Sequence, residues 1–191
     1  MNMIKGGILI TAALALATGC ERGDTIAPAP QPVNEEELIT SVLLTFISTA
    51  DPSDTFLLRW ADPDGDGGLP SVITADTLPA ASDFRLSVRV LNESVDPVED
   101  ITHEIEAEGI AHQFFFIRTG AAPMVTYADA DVNGAPIGLL GLAGTTASGT
   151  GSLTVILRHM PDKAGSGVSG GDITNAGGET DLEVVFQVEV R

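Results

Sequence analysis

Two stretches of this chain alternate strictly between apolar and polar side chains, and that pattern restricts the fold more than anything else in the sequence. Phe84, Leu86, Val88 and Val90 alternate with Arg85, Ser87 and Arg89. Near the end, Leu182, Val184, Phe186, Val188 and Val190 alternate with Glu183, Gln187 and Glu189. Successive side chains of an extended backbone point to opposite faces, so a period of two marks a strand with one face in a core and the other in water. Phe56, Leu58 and Trp60 repeat the pattern, as do Leu153, Val155 and Leu157. Leu38–Ser48 is apolar on both parities, as a central strand would be. Val72–Thr74, Phe114–Ile117, Met124–Tyr127 and Ile137–Leu142 complete about nine candidate strands, with turn residues in every gap.

One segment departs from this rhythm. Asp96-Pro97-Val98-Glu99 offers a cap, a proline at the first helical position and an acid three residues after the cap, while Val98, Ile101 and Ile105 recur at helical spacing. This predicts one amphipathic helix over Pro97–Glu108, stopped by Gly109. The expected fold is all-β: an antiparallel β-sandwich, immunoglobulin-like or Greek key, with one short crossover helix. A closed barrel is the second reading.

The first twenty residues carry a different signal. Lys5 precedes an apolar run from Gly6 to Ala17, and Leu16-Ala17-Thr18-Gly19-Cys20 follows. A basic start, a short apolar middle and small residues before a cleavage point make a secretory signal peptide, and the run is too short to span a bilayer. The segment resembles the bacterial lipobox, with Ala17 where leucine is commoner. The resemblance implies a signal peptide over residues 1–19, acylation of Cys20, a tether to about residue 36 containing Pro28, Pro30 and Pro32, and a β-sandwich domain over 37–191.

Lys5 is the only charged residue before Cys20, so the remaining 172 residues hold eight Lys and Arg against 27 Asp and Glu, a formal charge of −19. That balance argues against nucleic acid, which needs a concentrated cationic surface. It also opposes contact with anionic lipid headgroups, leaving the acyl chains as the expected membrane contact. With Cys20 as the only cysteine, no intramolecular disulfide can form, and packing must hold the fold.

Two acidic loops are candidate calcium sites. Asp62-Pro63-Asp64-Gly65-Asp66-Gly67 and Asp129-Ala130-Asp131-Val132-Asn133-Gly134 both place oxygen side chains at positions one, three and five, then glycine at six. Alternate carboxylates let a hard cation collect several oxygens from one turn of chain. Ile73 and Leu140 stand at position twelve, so neither loop has the bidentate glutamate that closes the helix-flanked version. Turn chemistry accounts for Asn133-Gly134 as a plain hairpin, whereas three clustered carboxylates make Asp62, Asp64 and Asp66 the better calcium candidates, with Asp76 or Asp54 available if the strands bring them near.

The glycine-rich Ala164–Asp181 segment reads as an ordered connection held by Asx turns, or as a ligand-contacting loop. His103, His112 and His159 show no zinc-site spacing, so no zinc is expected. Gly165-Ser166-Gly167 and Gly149-Thr150-Gly151 read as flexible loops rather than as part of a nucleophile elbow.

The lipobox, the acidic tether, Trp60-Ala61-Asp62-Pro63-Asp64-Gly65-Asp66-Gly67-Gly68, Tyr127-x-Asp129-x-Asp131-x-Asn133-Gly134 and Gly171–Asp181 together look like a group of small uncharacterised bacterial envelope lipoproteins. Some members carry a periplasmic-binding-domain label, but this chain lacks the alternating strands and helices of a two-lobed receptor. The resemblance implies lipid anchoring at the outer membrane or cell surface and no particular activity. The expected role is a non-catalytic binding or structural module, with calcium as candidate ligand and an envelope partner of unspecified kind. Two alternatives stand beside it. One is a surface-polymer subunit in which the strand Leu182–Val190 or the opening strand pairs with a neighbour. The other is a hydrolase, which needs a deep cleft lined by two carboxyls of raised pKa.

Overall fold

Ten strands and one small helix build the described part of the chain, residues 38–65 and 68–191 of the computed structural model. The segment 1–19, Cys20, the tether and Asp66 lie outside the described residues. The strands are β1 (Ser41–Ser48), β2 (Thr55–Ala61), β3 (Val72–Ala75), β4 (Asp83–Asn92), β5 (Glu99–Asp100), β6 (His112–Gly120), β7 (Met124–Tyr127), β8 (Leu140–Gly144), β9 (Gly149–His159) and β10 (Glu179–Val190). Helix α1 (Thr102–Ala107) links β5 to β6.

They form two antiparallel sheets. The larger runs β3-β2-β1-β4-β8-β7, with β5 pairing the end of β4, and the smaller runs β10-β9-β6. In the first, β1, β2 and β3 are consecutive neighbours and β4 returns to lie beside β1, which is a Greek key. The double-parity apolar segment is indeed central, because β1 is hydrogen-bonded to β2 on one side and β4 on the other.

The alternating residues face the core as the period demands. Val42, Leu44, Phe46, Phe84, Leu86, Val88 and Val90 from the larger sheet meet Phe114, Leu153, Val155, Leu157, Val184, Phe186 and Val188 from the smaller. Phe84 sits edge-on to both Phe46 and Phe56, with ring centres 6.0 and 5.8 Å apart. Each such ring removed from water contributes roughly 1.5–3 kcal/mol, so a continuous layer of them holds two sheets together without a disulfide.

Two connections stitch the layers. Phe114 N donates to Ile137 O at 2.7 Å and Val88 N donates to Leu139 O at 2.8 Å, so one short segment pairs with a strand of each sheet. At the other side Leu78, fully buried, donates to Glu189 O and accepts from Arg191 N, both at 3.0 Å. The last residues of β10 are thereby partnered by the β3–β4 connection.

The structure corrects several local expectations. The helix is shorter than Pro97–Glu108: Glu99 and Asp100 pair with β4 instead, and Val98 is exposed while Ile101 and Ile105 are buried. Sheet pairing outcompetes the proline-led helix start. The strand expected over Ile137–Leu142 begins at Leu140, because residues 137–139 are used for the stitching just described. Gly149-Thr150-Gly151 is the start of β9, not a flexible loop; a Cβ at Gly151 would stand 2.1 Å from Thr119 O. Among the described residues, no helix is long and apolar enough to cross a membrane.

Candidate functional site

The 129–134 loop is not a tight hairpin; it belongs to a longer connection between β7 and β8, and its carboxylates are already engaged. Asp129 Oδ1 and Oδ2 accept from the backbone N–H groups of Gly138 and Leu140, both at 2.8 Å. Asp131 Oδ1 accepts from Asn133 N and Ala135 N at 2.8 and 3.0 Å. Its Oδ2 receives Lys163 Nζ at 2.9 Å, and the same ammonium donates to Pro136 O at 2.9 Å and to Gly109 O. Lys163 is thus the cation of this loop. Burial pushes the Asp131 carboxyl up, but Lys163 and the two backbone donors outweigh it and hold it below the usual carboxylate range.

The 62–66 loop is different in kind. Asp62 N donates to Thr40 O at 2.7 Å, placing the residue beside the start of β1, and Asp64 Oδ2 accepts from Leu69 N at 3.2 Å. Asp62 and Asp64 are therefore neighbours at one end of the β2–β3 pair, whereas Asp66 lies outside the described residues. Asp76 is not brought near. Ala61 pairs with Val72 and Leu58 with Ala75, so Asp76 lies beside Leu57, five positions from Asp62. At about 3.3 Å per residue that is about 16 Å, and Asp54 lies farther still, before β2 begins.

The Ala164–Asp181 segment is an ordered connection. Asp172 Oδ1 accepts from Thr174 N at 2.9 Å, and Asn175 Nδ2 donates to Ser166 O at 2.8 Å. Val168 and Ala176 are fully buried against Phe115 and Ile156, making a second small core on the outer face of the smaller sheet.

A group that sequence spacing did not reveal lies at one end of that sheet. His112 opens β6, His159 closes β9, and the two are direct cross-strand partners whose rings stack with centres 5.0 Å apart and planes inclined by 18°. They are only 2% and 8% exposed. Asp181 completes the cluster from β10: its Oδ2 is 4.0 Å from His112 Nε2, and one ligand atom from each of the three residues lies within 4.8 Å of the others.

Asp181 reaches this position through a β-bulge. Thr180 pairs with Arg158 and Leu182 with Leu157, so Asp181 is the extra residue between them. Strict alternation would set Asp181 with Glu183, Gln187 and Glu189 on the water side. The bulge re-aims its side chain toward the inner face, leaving it 9% exposed. Gly177 and Gly178, both at positive φ, lead into it; a Cβ on Gly178 would meet His159 O at 2.3 Å. Arg158 Nη1 fixes the approach by donating to Thr180 Oγ1 at 2.7 Å and Gly178 O at 3.3 Å.

Helix α1 contributes from the other side. The Glu108 carbonyl just after it accepts His112 Nδ1–H at 3.2 Å, since a carbonyl can only accept. Burial lowers the His112 pKa, the Glu108 bond pulls the other way, and His159 adds to the lowering. With a proton held on Nδ1 by that carbonyl, the ring turns Nε2 toward Asp181. His103, in contrast, is exposed on α1, 3.9 Å from Glu106.

These features define a Greek-key β-sandwich whose smaller sheet ends in a His–His–Asp cluster, with one acidic loop neutralised internally by lysine. No family model matches the chain, and no curated protein or solved structure is significantly similar to it.

Proposed function

We propose that this chain is a lipid-anchored protein of the bacterial cell envelope, in which a β-sandwich serves as a non-catalytic binding or structural module. The observation that carries the reading is the Lys5-led apolar run ending at Leu16-Ala17-Thr18-Gly19-Cys20, with Cys20 the only cysteine in the chain. Two sheets closing on a shared apolar core are compatible with a body that needs no disulfide outside the cytosol. Calcium belongs to this reading at Asp62, Asp64 and Asp66, with remaining oxygens supplied by backbone or water.

Metabolic labelling with a palmitate analogue tests the anchor. The expected result is label on a species beginning at Cys20, lost in Cys20→Ser together with membrane association; an unmodified thiol with residues 1–19 retained overturns it.

Polymerisation by strand addition is not supported through the opening strand, because both edges of β1 are paired. β10 is an edge strand whose last residues alone are partnered on the outer side, by Leu78 and Ala80, so the alternative through Leu182–Val190 stands. Val72 and Ile73 on the edge strand β3 are 58% and 45% exposed, so an assembling partner would find its apolar edge there. A hydrolase would need carboxyls of raised pKa, whereas Asp131, in the depression it shares with Glu106 and Asp129, is held low.

A further inference from the structure

We infer that His112, His159 and Asp181 bind one divalent transition-metal ion, zinc in preference to calcium or magnesium, at the end of the three-stranded sheet. This does not depend on the anchor or on the acidic loops.

The donor set comes first. Two imidazole nitrogens and one carboxylate oxygen suit zinc and its neighbours among the divalent transition metals, whereas calcium and magnesium favour shells of oxygen alone. Three protein ligands leave a fourth position for water.

The geometry is close to what such an ion requires. Zinc with bonds of about 2.0–2.1 Å holds its ligand atoms about 3.3 Å apart. The present separations, 4.0 Å for His112 Nε2 to Asp181 Oδ2 and none above 4.8 Å, close to that value with side-chain shifts of about 1 Å or less. The His112 ring is already oriented for the task. Its Nδ1–H is fixed on the Glu108 carbonyl, the outer contact that metal-binding histidines use to present the opposite nitrogen as a lone pair.

A second observation is independent of the histidines. The β10 strand interrupts its pairing at a single position, and the residue inserted there is the carboxylate that turns inward onto them. His112 Nε2 and Asp181 Oδ2 face each other across 4.0 Å, and an ion between them would take the ring nitrogen as one ligand and the carboxylate as another. The strongly acidic chain adds a field that draws cations to it. Because the ligands come from β6, β9 and β10, the ion would join all three strands of the smaller sheet and bind the folded state only.

The test uses the chelator-treated full chain, titrated with zinc chloride by calorimetry and with cobalt(II) followed by visible absorption. One equivalent of zinc should bind, cobalt should show the intense bands of a tetrahedral site, and the melting midpoint should rise with zinc. His159→Gln and Asp181→Asn should each weaken binding at least tenfold, while Asp64→Asn should not. His112 is left intact, since truncating so buried a ring opens a cavity. Circular dichroism and a metal-free melt of each variant establish that it is folded. The inference is overturned if the folded wild type takes up no zinc, or if folded Asp181→Asn and His159→Gln bind it as the wild type does, which would place the ion elsewhere on the acidic surface.

Discussion

Lys163 Nζ lies 2.9 Å from Asp131 Oδ2, and the two side chains are only 9% and 2% exposed. Lys163 also serves the carbonyls of Pro136 and Gly109, so its removal strands one carboxylate and two carbonyls at once. Lys163→Met should cost about 3 kcal/mol, the order found when one member of a buried ion pair is removed. The double variant Lys163→Met/Asp131→Asn should recover part of that loss, since the uncompensated charge is gone. Urea unfolding followed by the fluorescence of Trp60, the only tryptophan, measures both. Equal stability of wild type and Lys163→Met would show that water replaces the ammonium without cost.

The same pair fixes one arm of the acid response. Asp131 is held below the usual carboxylate range, and so is Glu93, by Ser41 Oγ–H first and, against the opposing effect of burial, by Arg59 at 2.6 Å. Carboxyls with depressed folded pKa values stabilise the fold above their unfolded values, near 4, and lose that contribution as pH falls through the folded ones. Asp131→Asn should therefore lose stability relative to wild type at neutral pH, with the difference shrinking below about pH 4. A difference that is constant with pH would mean that shape, not charge, matters at this site.

Tyr127 governs the alkaline side. Its hydroxyl donates to Phe114 O at 2.7 Å and accepts from Gln113 Nε2 at 3.1 Å, and Gln113, fully buried, also donates to Val168 O. Burial, opposed by the Gln113 bond and reinforced by Asp129, pushes its pKa up to about 12. An acid whose folded pKa is raised favours the fold below its unfolded value, near 10, and loses that contribution as pH rises through the folded one. Phenolate absorbance is a clean probe because the chain has one tyrosine, and its midpoint should fall toward 10 on unfolding. Tyr127→Phe should cost about 1–2 kcal/mol at neutral pH by leaving Gln113 short of an acceptor.

Calcium at the 62–66 loop predicts a higher melting midpoint at millimolar calcium for chelator-treated protein, because an ion that binds only the folded state stabilises it. Asp62→Asn/Asp64→Asn should abolish the shift and Asp131→Asn should leave it intact, since Lys163 holds the other loop. No shift in the wild type removes calcium from the reading.

Local pattern was sufficient for the principal strands, though not for β5 or for the exact start of β8 and β9. Met124–Tyr127 is a strand at the expected residues, and the alternating partners of Phe84 and Leu182 face inward, because burial on one face of a pleated strand leaves a direct trace in the order of residues. The double apolar parity of β1 likewise announced a central strand. Partnership between distant segments leaves no such trace. His112 and His159 become neighbours only through the β6–β9 register, and Asp181 joins them only because a bulge reverses the face its parity assigns. Lys163 meets Asp131 across 32 positions of chain, so the acidic spacing that suggested calcium could not disclose that one loop already held its counter-charge. Sequence periodicity records which face of a strand is buried; which strands meet, and which side chains confront each other at their ends, is decided by packing in three dimensions.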